Sequence, residues 1–164
     1  MRFTAKTLYG LENVLADELK YLGAGNVKPA NRAVIFEGDQ YLLYKVNYSL
    51  RTAISVLWQI EEFNIKTPED LYRAGSGMKW ENFFTPDMTF SVVPVVNSQV
   101  FRHTGYAGLV MKDAIADRFR NTMGRRPSVN TADPGIIINL HIDRNRVNVS
   151  LDSTGIPLFK RGYR

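Results

Sequence analysis

RFTAKTLYGLENVLADELKYL, residues 2–22, reads as a strand followed by a helix, and the rest of the fold is built outward from that pair. Phe3, Ala5 and Thr7 fall on one side of an alternating run over residues 2–8. Gly10 then opens a helix in which Leu11, Val14, Leu15, Leu19 and Leu22 recur at spacings of three and four, a stripe suited to packing on one side. Gly23 and Gly25 close it, as glycine does beyond a helix C-terminus. Val27-Lys28-Pro29 and Ala33-Val34-Ile35-Phe36-Glu37-Gly38 follow as two short strands. Asp39 caps a second helix to Tyr48, with Leu42, Leu43, Val46 and Leu50 inward. Residues 52–63, rich in β-branched and aromatic side chains, make a longer strand. The order strand, helix, strand, strand, helix, strand is the split βαβ or ferredoxin-like pattern.

The chain then changes character. Thr67-Pro68-Glu69-Asp70 is a helix start, with threonine as cap, proline in the first turn and acids near the positive end. That helix is expected to be short, with Gly75 and Gly77 ending it. Trp80, Phe83 and Phe84 suggest an aromatic plug under a loop. Residues 89–96 form a strand whose Pro94 lacks a ladder donor, which predicts an edge position or a bulge. A long helix over residues 106–123 shows Ala107, Met111, Ile115, Phe119 and Met123 every four residues, with Gly124 as its stop. Ile136, Ile138, Leu140 and Ile142, then Val147, Val149 and Leu151, mark two strands around an Asp143-Arg144-Asn145-Arg146 turn.

Charge divides the chain more sharply than any motif. Residues 1–64 carry seven Lys/Arg and seven Asp/Glu, whereas residues 65–164 carry fourteen against nine, the whole of the +5. A balanced part joined to a basic part suggests a scaffold with an anion-facing surface, nucleic acid being the usual partner. The competing explanation is a solvated surface that happens to be basic. With 45% hydrophobic residues and no cysteine, the chain buries a core without disulfides or cysteine-bound metal, and a cytoplasmic compartment fits. Two histidines make no metal site. No apolar run approaches the roughly 20 residues needed to span a bilayer, so no membrane partner is expected.

No catalytic constellation stands out. Gly23/Gly25 and Gly75/Gly77 read as helix C-caps rather than a phosphate loop. Asp113 and Asp117, one turn apart, balance Lys112 and Arg120 more naturally than they form a general-base pair. Arg118 falls on the buried side of the long helix, where it must snorkel or pair. The segment leading into that helix carries Arg102, His103 and Thr104, side chains suited to completing a phosphate cradle at a helix start. The plainer alternative is that Thr104 only caps the helix and His103 lies idle on the surface. Gly105-Tyr106-Ala107-Gly108 also fits the GXXG clamp of KH domains, although small residues allowing close packing explain it as well. Lys112, Arg120, Arg125, Arg126, Lys160 and Arg161 complete the candidate RNA-binding set.

Four blocks, in order, carry a family resemblance. Phe3-Thr4-Ala5-Lys6-Thr7 with Gly10-Leu11-Glu12 and Leu15-Ala16-Asp17-Glu18-Leu19 resembles the opening of the bacterial THUMP-containing RNA methyltransferases. Asn47-Tyr48-Ser49-Leu50-Arg51-Thr52-Ala53 resembles their N-L-x-L-R-T-A segment, and Phe101-Arg102-His103-Thr104 with Lys112-Asp113-Ala114-Ile115 and Asp117 their best-marked THUMP region. Ser150-Leu151-Asp152-Ser153-Thr154-Gly155, then residues 158–164, is similar to the way out of that domain. The departures are Tyr48 for leucine and Ile156 where an acid is common.

The resemblance implies an α+β chain: a ferredoxin-like domain over residues 1–64, a THUMP domain with helices packed on a mixed sheet over 65–155, and a linker at 156–164. It implies binding of structured RNA, large-subunit ribosomal RNA before transfer RNA. It also implies a methyltransferase domain that uses S-adenosylmethionine on the exocyclic N2 amine of a guanine. No Asn/Asp-Pro-Pro-Tyr/Phe motif occurs here, so that domain is expected on a longer parent chain, and this chain by itself is expected to hold no cofactor and catalyse nothing. The remaining alternatives are a free-standing enzyme and a basic adaptor that meets an acidic protein.

Overall fold

The computed structural model describes residues 1–153 and divides them into two compact units, Met1–Gln59 with the segment from Leu151, and Ile60–Ser150. In the first unit the elements are β1 (Arg2–Thr7), α1 (Glu12–Tyr21), β2 (Gly25–Ala30), β3 (Ala33–Glu37), α2 (Gln40–Ser49) and β4, which begins at Ala53 and runs to Asn64. The sheet order is β2-β3-β1-β4, with β1 antiparallel to both β3 and β4. That is the split βαβ arrangement expected from the sequence.

Alternation places Phe3, Ala5, Val34, Phe36 and Val56 on one face of this sheet, where they pack against Leu15, Leu19, Leu42, Leu43 and Val46 of the helices. The α1 stripe is narrower than its spacing suggests. Leu15, Ala16 and Leu19 are buried, while Val14, one position off that face, is half exposed. Gly23, at φ +96°, closes α1 in a Schellman turn: Ala24 N–H donates to Leu19 O at 3.0 Å and Gly23 N–H to Lys20 O at 3.1 Å. Gly25, expected in the cap, instead opens β2. Asp39 caps α2, accepting from Leu42 N–H at 2.8 Å.

The residues after α2 form a staple. Thr52 Oγ1 donates to Glu18 at 2.8 Å, Arg51 N–H donates to the same carboxylate at 3.1 Å, and Thr7 Oγ1 donates to Thr52 O at 2.6 Å. Asn47 Nδ2 reaches Ser153 Oγ at 3.1 Å, and Ser153 N–H donates to Val56 O at 3.0 Å. The Asn47–Ala53 block therefore locks α1, β1 and the returning chain together, which accounts structurally for its residue types.

The second unit contains α3 (Pro68–Gly77), a 3-10 turn (Trp80–Asn82), β5 (Phe90–Asn97), α4 (Thr104–Met123), β6 (Ile136–Asp143) and β7 (Arg146–Asp152). β5 runs parallel to β6 and is the edge strand, so Pro94 sits where its missing donor costs no ladder bond. Thr67 and Asp70 form a full capping box on α3. Gly75 does not stop this helix. It lies within α3 against α4, where an added Cβ would sit 2.9 Å from Met111 Sδ and 3.0 Å from Ala114 Cβ. The helix continues to Gly77 and ends at Met78, whose extended backbone breaks the turn.

Trp80, fully buried, donates from Nε1 to Gly75 O at 2.8 Å, with Phe84 packed between it, Phe90 and Phe119. Ala107, Met111, Ala114, Ile115 and Phe119 form the buried stripe of α4; Met123, its last residue, is exposed because burial ends at Phe119. Among the described residues no helix is long and apolar enough to cross a membrane.

Candidate nucleic-acid interface

The loop from β5 into α4 is braced from two sides. Ser98 Oγ accepts from Val100 N–H at 3.1 Å and donates to the Arg144 carbonyl, while Arg144 N–H donates to Asn97 O at 2.7 Å. Phe101 is buried, its ring 5.8 Å from that of Tyr106. The loop is thus pinned at both ends, and the next residues, Arg102, His103, Thr104 and Gly105, stand exposed on it.

α4 begins two residues earlier than its apolar period indicates, because the polar Thr104 and Gly105 lie outside that period. His103 holds the N-cap position with extended backbone and no side-chain cap, and Thr104 is the first helical residue. The reading of Thr104 as a cap is therefore overturned. No side chain caps this end: Tyr106 N–H turns back to His103 O at 3.2 Å, and Thr104 and Gly105 lead the positive end of a 20-residue helix beside Arg102 and His103.

Arg144, which the sequence marked only as a turn residue, is a further exposed cation. It occupies the left-handed region at φ +58° at the β6–β7 turn, and its backbone is bonded to the very loop that carries Arg102. Gly108 serves packing: an added Cβ would lie 3.2 Å from Pro94 Cγ, so its small size lets α4 approach β5.

The other candidate cations lie further along α4 or past its end, and most are paired. Lys112 lies 3.7 Å from Asp113, Arg120 3.5 Å from Asp117, and Arg125 2.7 Å from Asp87. Arg126 is exposed and, among the described residues, makes no ion pair; the same holds for Arg102 and Arg144. Arg118 pairs as expected, donating Nη2 to Glu81 at 2.7 Å. At 1.5 Å per residue, α4 separates Thr104 from Met123 by about 28 Å. The candidate set therefore resolves into a cluster at the start of α4 and a second one beyond its end. Lys160 and Arg161 lie outside the described residues.

Between α3 and α4 runs an open groove of about 570 Å³, lined by Tyr72, Tyr106, Asp113, Asp117, Arg120 and Arg126 among others. Tyr72 donates its hydroxyl to Asp117 at 2.5 Å, and this bond, with some burial, raises the phenol's pKa. Asp117 thus serves Tyr72 and Arg120 while Asp113 meets Lys112, the charge-balancing arrangement rather than a facing pair of acids.

Two families match the chain: the THUMP domain over residues 66–152 and the RlmL ferredoxin-like domain over residues 2–57. The ribosomal RNA large subunit methyltransferase K/L of Syntrophotalea carbinolica is 38% identical over 164 residues, which is 100% of this chain and 23% of that protein. Protein slr0064 of Synechocystis sp., provisionally named an RNA methyltransferase, is 38% identical over 162 residues, 99% of this chain and 42% of the relative. SMU.472, provisionally named a methyltransferase and solved in complex with SAH, superposes with a TM-score of 0.79 at 28% identity, over 99% of this chain and 44% of its own. The chain spans less than half the length of each.

Proposed function

Because this chain belongs to the THUMP domain family, with an RlmL-type ferredoxin-like domain ahead of that region, we propose that it is the RNA-holding region of an S-adenosylmethionine-dependent RNA methyltransferase. In this reading residues 1–64 are the ferredoxin-like domain, 65–155 the THUMP domain, and 156–164 the lead into a catalytic domain. The RNA held is structured large-subunit ribosomal RNA, offered for methylation at guanine N2. The name of the 38%-identical K/L relative supports the ribosomal substrate. Transfer RNA is the competing substrate, since the name of slr0064 specifies only RNA.

One observation carries the reading: the start of α4 has no side-chain cap and stands on a braced loop with Arg102 and His103 exposed beside it, and the β6–β7 turn that carries Arg144 is bonded to the foot of that loop. Such a site takes phosphate oxygens by charge and by directed hydrogen bonds, and so fixes an RNA backbone without reading its bases. A-form RNA hides its base edges from side chains, so recognition by shape and phosphate suits a structured substrate.

The glycine turn between β1 and α1 is already filled, because Gly10 N–H donates to Glu12 at 2.7 Å and Arg32 N–H to the other oxygen of that carboxylate at 3.1 Å. Gly75 is spent on helix packing. The adenosyl donor belongs to the catalytic domain, and what this chain contributes is the position of the RNA.

The test is a fluorescence-anisotropy titration with a ribosomal hairpin, a tRNA and a DNA duplex at two salt concentrations. Salt-sensitive binding that prefers structured RNA is expected, and Arg102→Glu with Arg144→Glu should weaken it about tenfold or more at unchanged melting temperature. Unchanged affinity in that double variant removes the α4 start from the interface.

A further inference from the structure

Residues 1–64 balance seven Lys/Arg with seven Asp/Glu, yet helix α2 within them carries a face the RNA-holding reading does not use. Tyr41, Tyr44, Lys45 and Tyr48 are spaced by three, four and seven residues, which puts them on one side of a helix. The opposite side, Leu42, Leu43, Val46 and Asn47, is buried. The three tyrosines are 74%, 37% and 64% exposed, and they spread over about 10 Å of helix axis.

From this we infer that α2 is a stacking platform for unpaired nucleotides of the bound RNA, an inference that rests on the RNA-binding reading above. Two facts favour a nucleic acid over a protein. The exposed side carries no aliphatic residue; it is made of phenol rings, a lysine and small polar groups, and although tyrosine also suits protein interfaces, a lysine among the rings does not, since lysine is depleted there. No Asp or Glu occurs from Gln40 to Ile60, while Lys45 and Arg51 are exposed in that span. The face thus sets Lys45 among aromatic rings, the combination that binds single strands by base stacking and backbone attraction.

The expected division of labour is that the start of α4 holds phosphates of paired RNA while α2 takes bases that have left the helix. The experiment compares a blunt RNA hairpin with the same hairpin carrying a single-stranded tail, titrated against the full chain. The tailed RNA should bind the wild type more tightly. Tyr41→Ala with Tyr48→Ala should remove that advantage, a loss of roughly tenfold, and leave the blunt hairpin's affinity unchanged. Tyr41→Phe with Tyr48→Phe should retain it, since the rings remain. Both side chains are exposed, so a matching melting temperature checks the fold.

Equal affinity for tailed and blunt RNA, with the alanine variant unchanged on both, overturns the platform and leaves RNA holding intact. Failure of the wild type to bind either RNA defeats the underlying reading instead. A change of oligomeric state in the alanine variant, with RNA affinities unaltered, shows the face to be a contact between protein copies and also overturns the proposal.

Discussion

At Gly75 the missing methyl group sets how closely α3 lies on α4, and a substitution there brings two effects into opposition. Gly75→Ala gains about 1 kcal/mol of helix propensity. It also places a Cβ 2.9 Å from Met111 Sδ and 3.0 Å from Ala114 Cβ. Met111 is fully buried and Ala114 is fixed to its backbone, so neither yields freely. Overpacking of this kind costs about 1–3 kcal/mol, and the expected net is a destabilisation of about 1 kcal/mol. A urea titration reads it as a lower midpoint; a raised midpoint would show that Met111 swings aside and that propensity wins. The same residue shows why sequence reading failed here. A glycine late in an apolar period looks like a stop signal, and its reason for being small, Ala114, lies far along the chain. Gly124 was legible because its role, a left-handed turn at φ +74°, is local.

Among elements, the locally encoded starts were readable: the Thr67 and Asp39 caps both formed as their residue types implied, and Asp70 adds the reciprocal bond to the Thr67 backbone. The tie between the 3-10 turn and α4 was only half readable. Arg118 sat on the buried side and had to find a partner, but Glu81 could not be named without the fold. The Glu81 carboxyl is held below its ordinary range of about 4.5, first by the hydrogen bonds from Arg118, against a smaller opposing effect of burial. A carboxylate depressed in the folded state stabilises above its unfolded pKa, and loses that contribution as pH falls through the folded value. Glu81→Gln should therefore cost about 1 kcal/mol near neutral pH, the pair being partly exposed, and nothing once wild-type Glu81 is protonated in acid. Denaturant titrations near pH 7 and at successively lower pH decide it, the difference shrinking as the pH falls. An equal difference throughout would show that Glu81 acts through packing rather than charge.

For the whole molecule, net charge marks the part of the chain that carries the candidate interface but not which of its cations are already paired. Of the basic side chains singled out on and after α4, Lys112, Arg120 and Arg125 spend their charge on neighbouring acids, which sequence spacing shows for the first two and hides for Asp87. Arg102 and Arg126 remain unpaired among the described residues, at opposite ends of about 28 Å of helix. Every phosphate contact contributes about 0.7–0.9 to the slope of log affinity against log salt, so the slope counts cations that touch RNA rather than cations present. If an RNA lies along α4, Arg102→Gln and Arg126→Gln should each lower the slope by about that amount. Their effects should add in the double variant, because sites this far apart are independent. Arg125→Gln should change it little, since Arg125 already faces Asp87 at 2.7 Å. A loss at Arg125 equal to that at Arg126 would show that RNA breaks the ion pair, and the free-cation account of this surface would fall with it. A loss at Arg102 alone would confine the RNA to the start of the helix, where the uncapped N–H groups and Arg144 are.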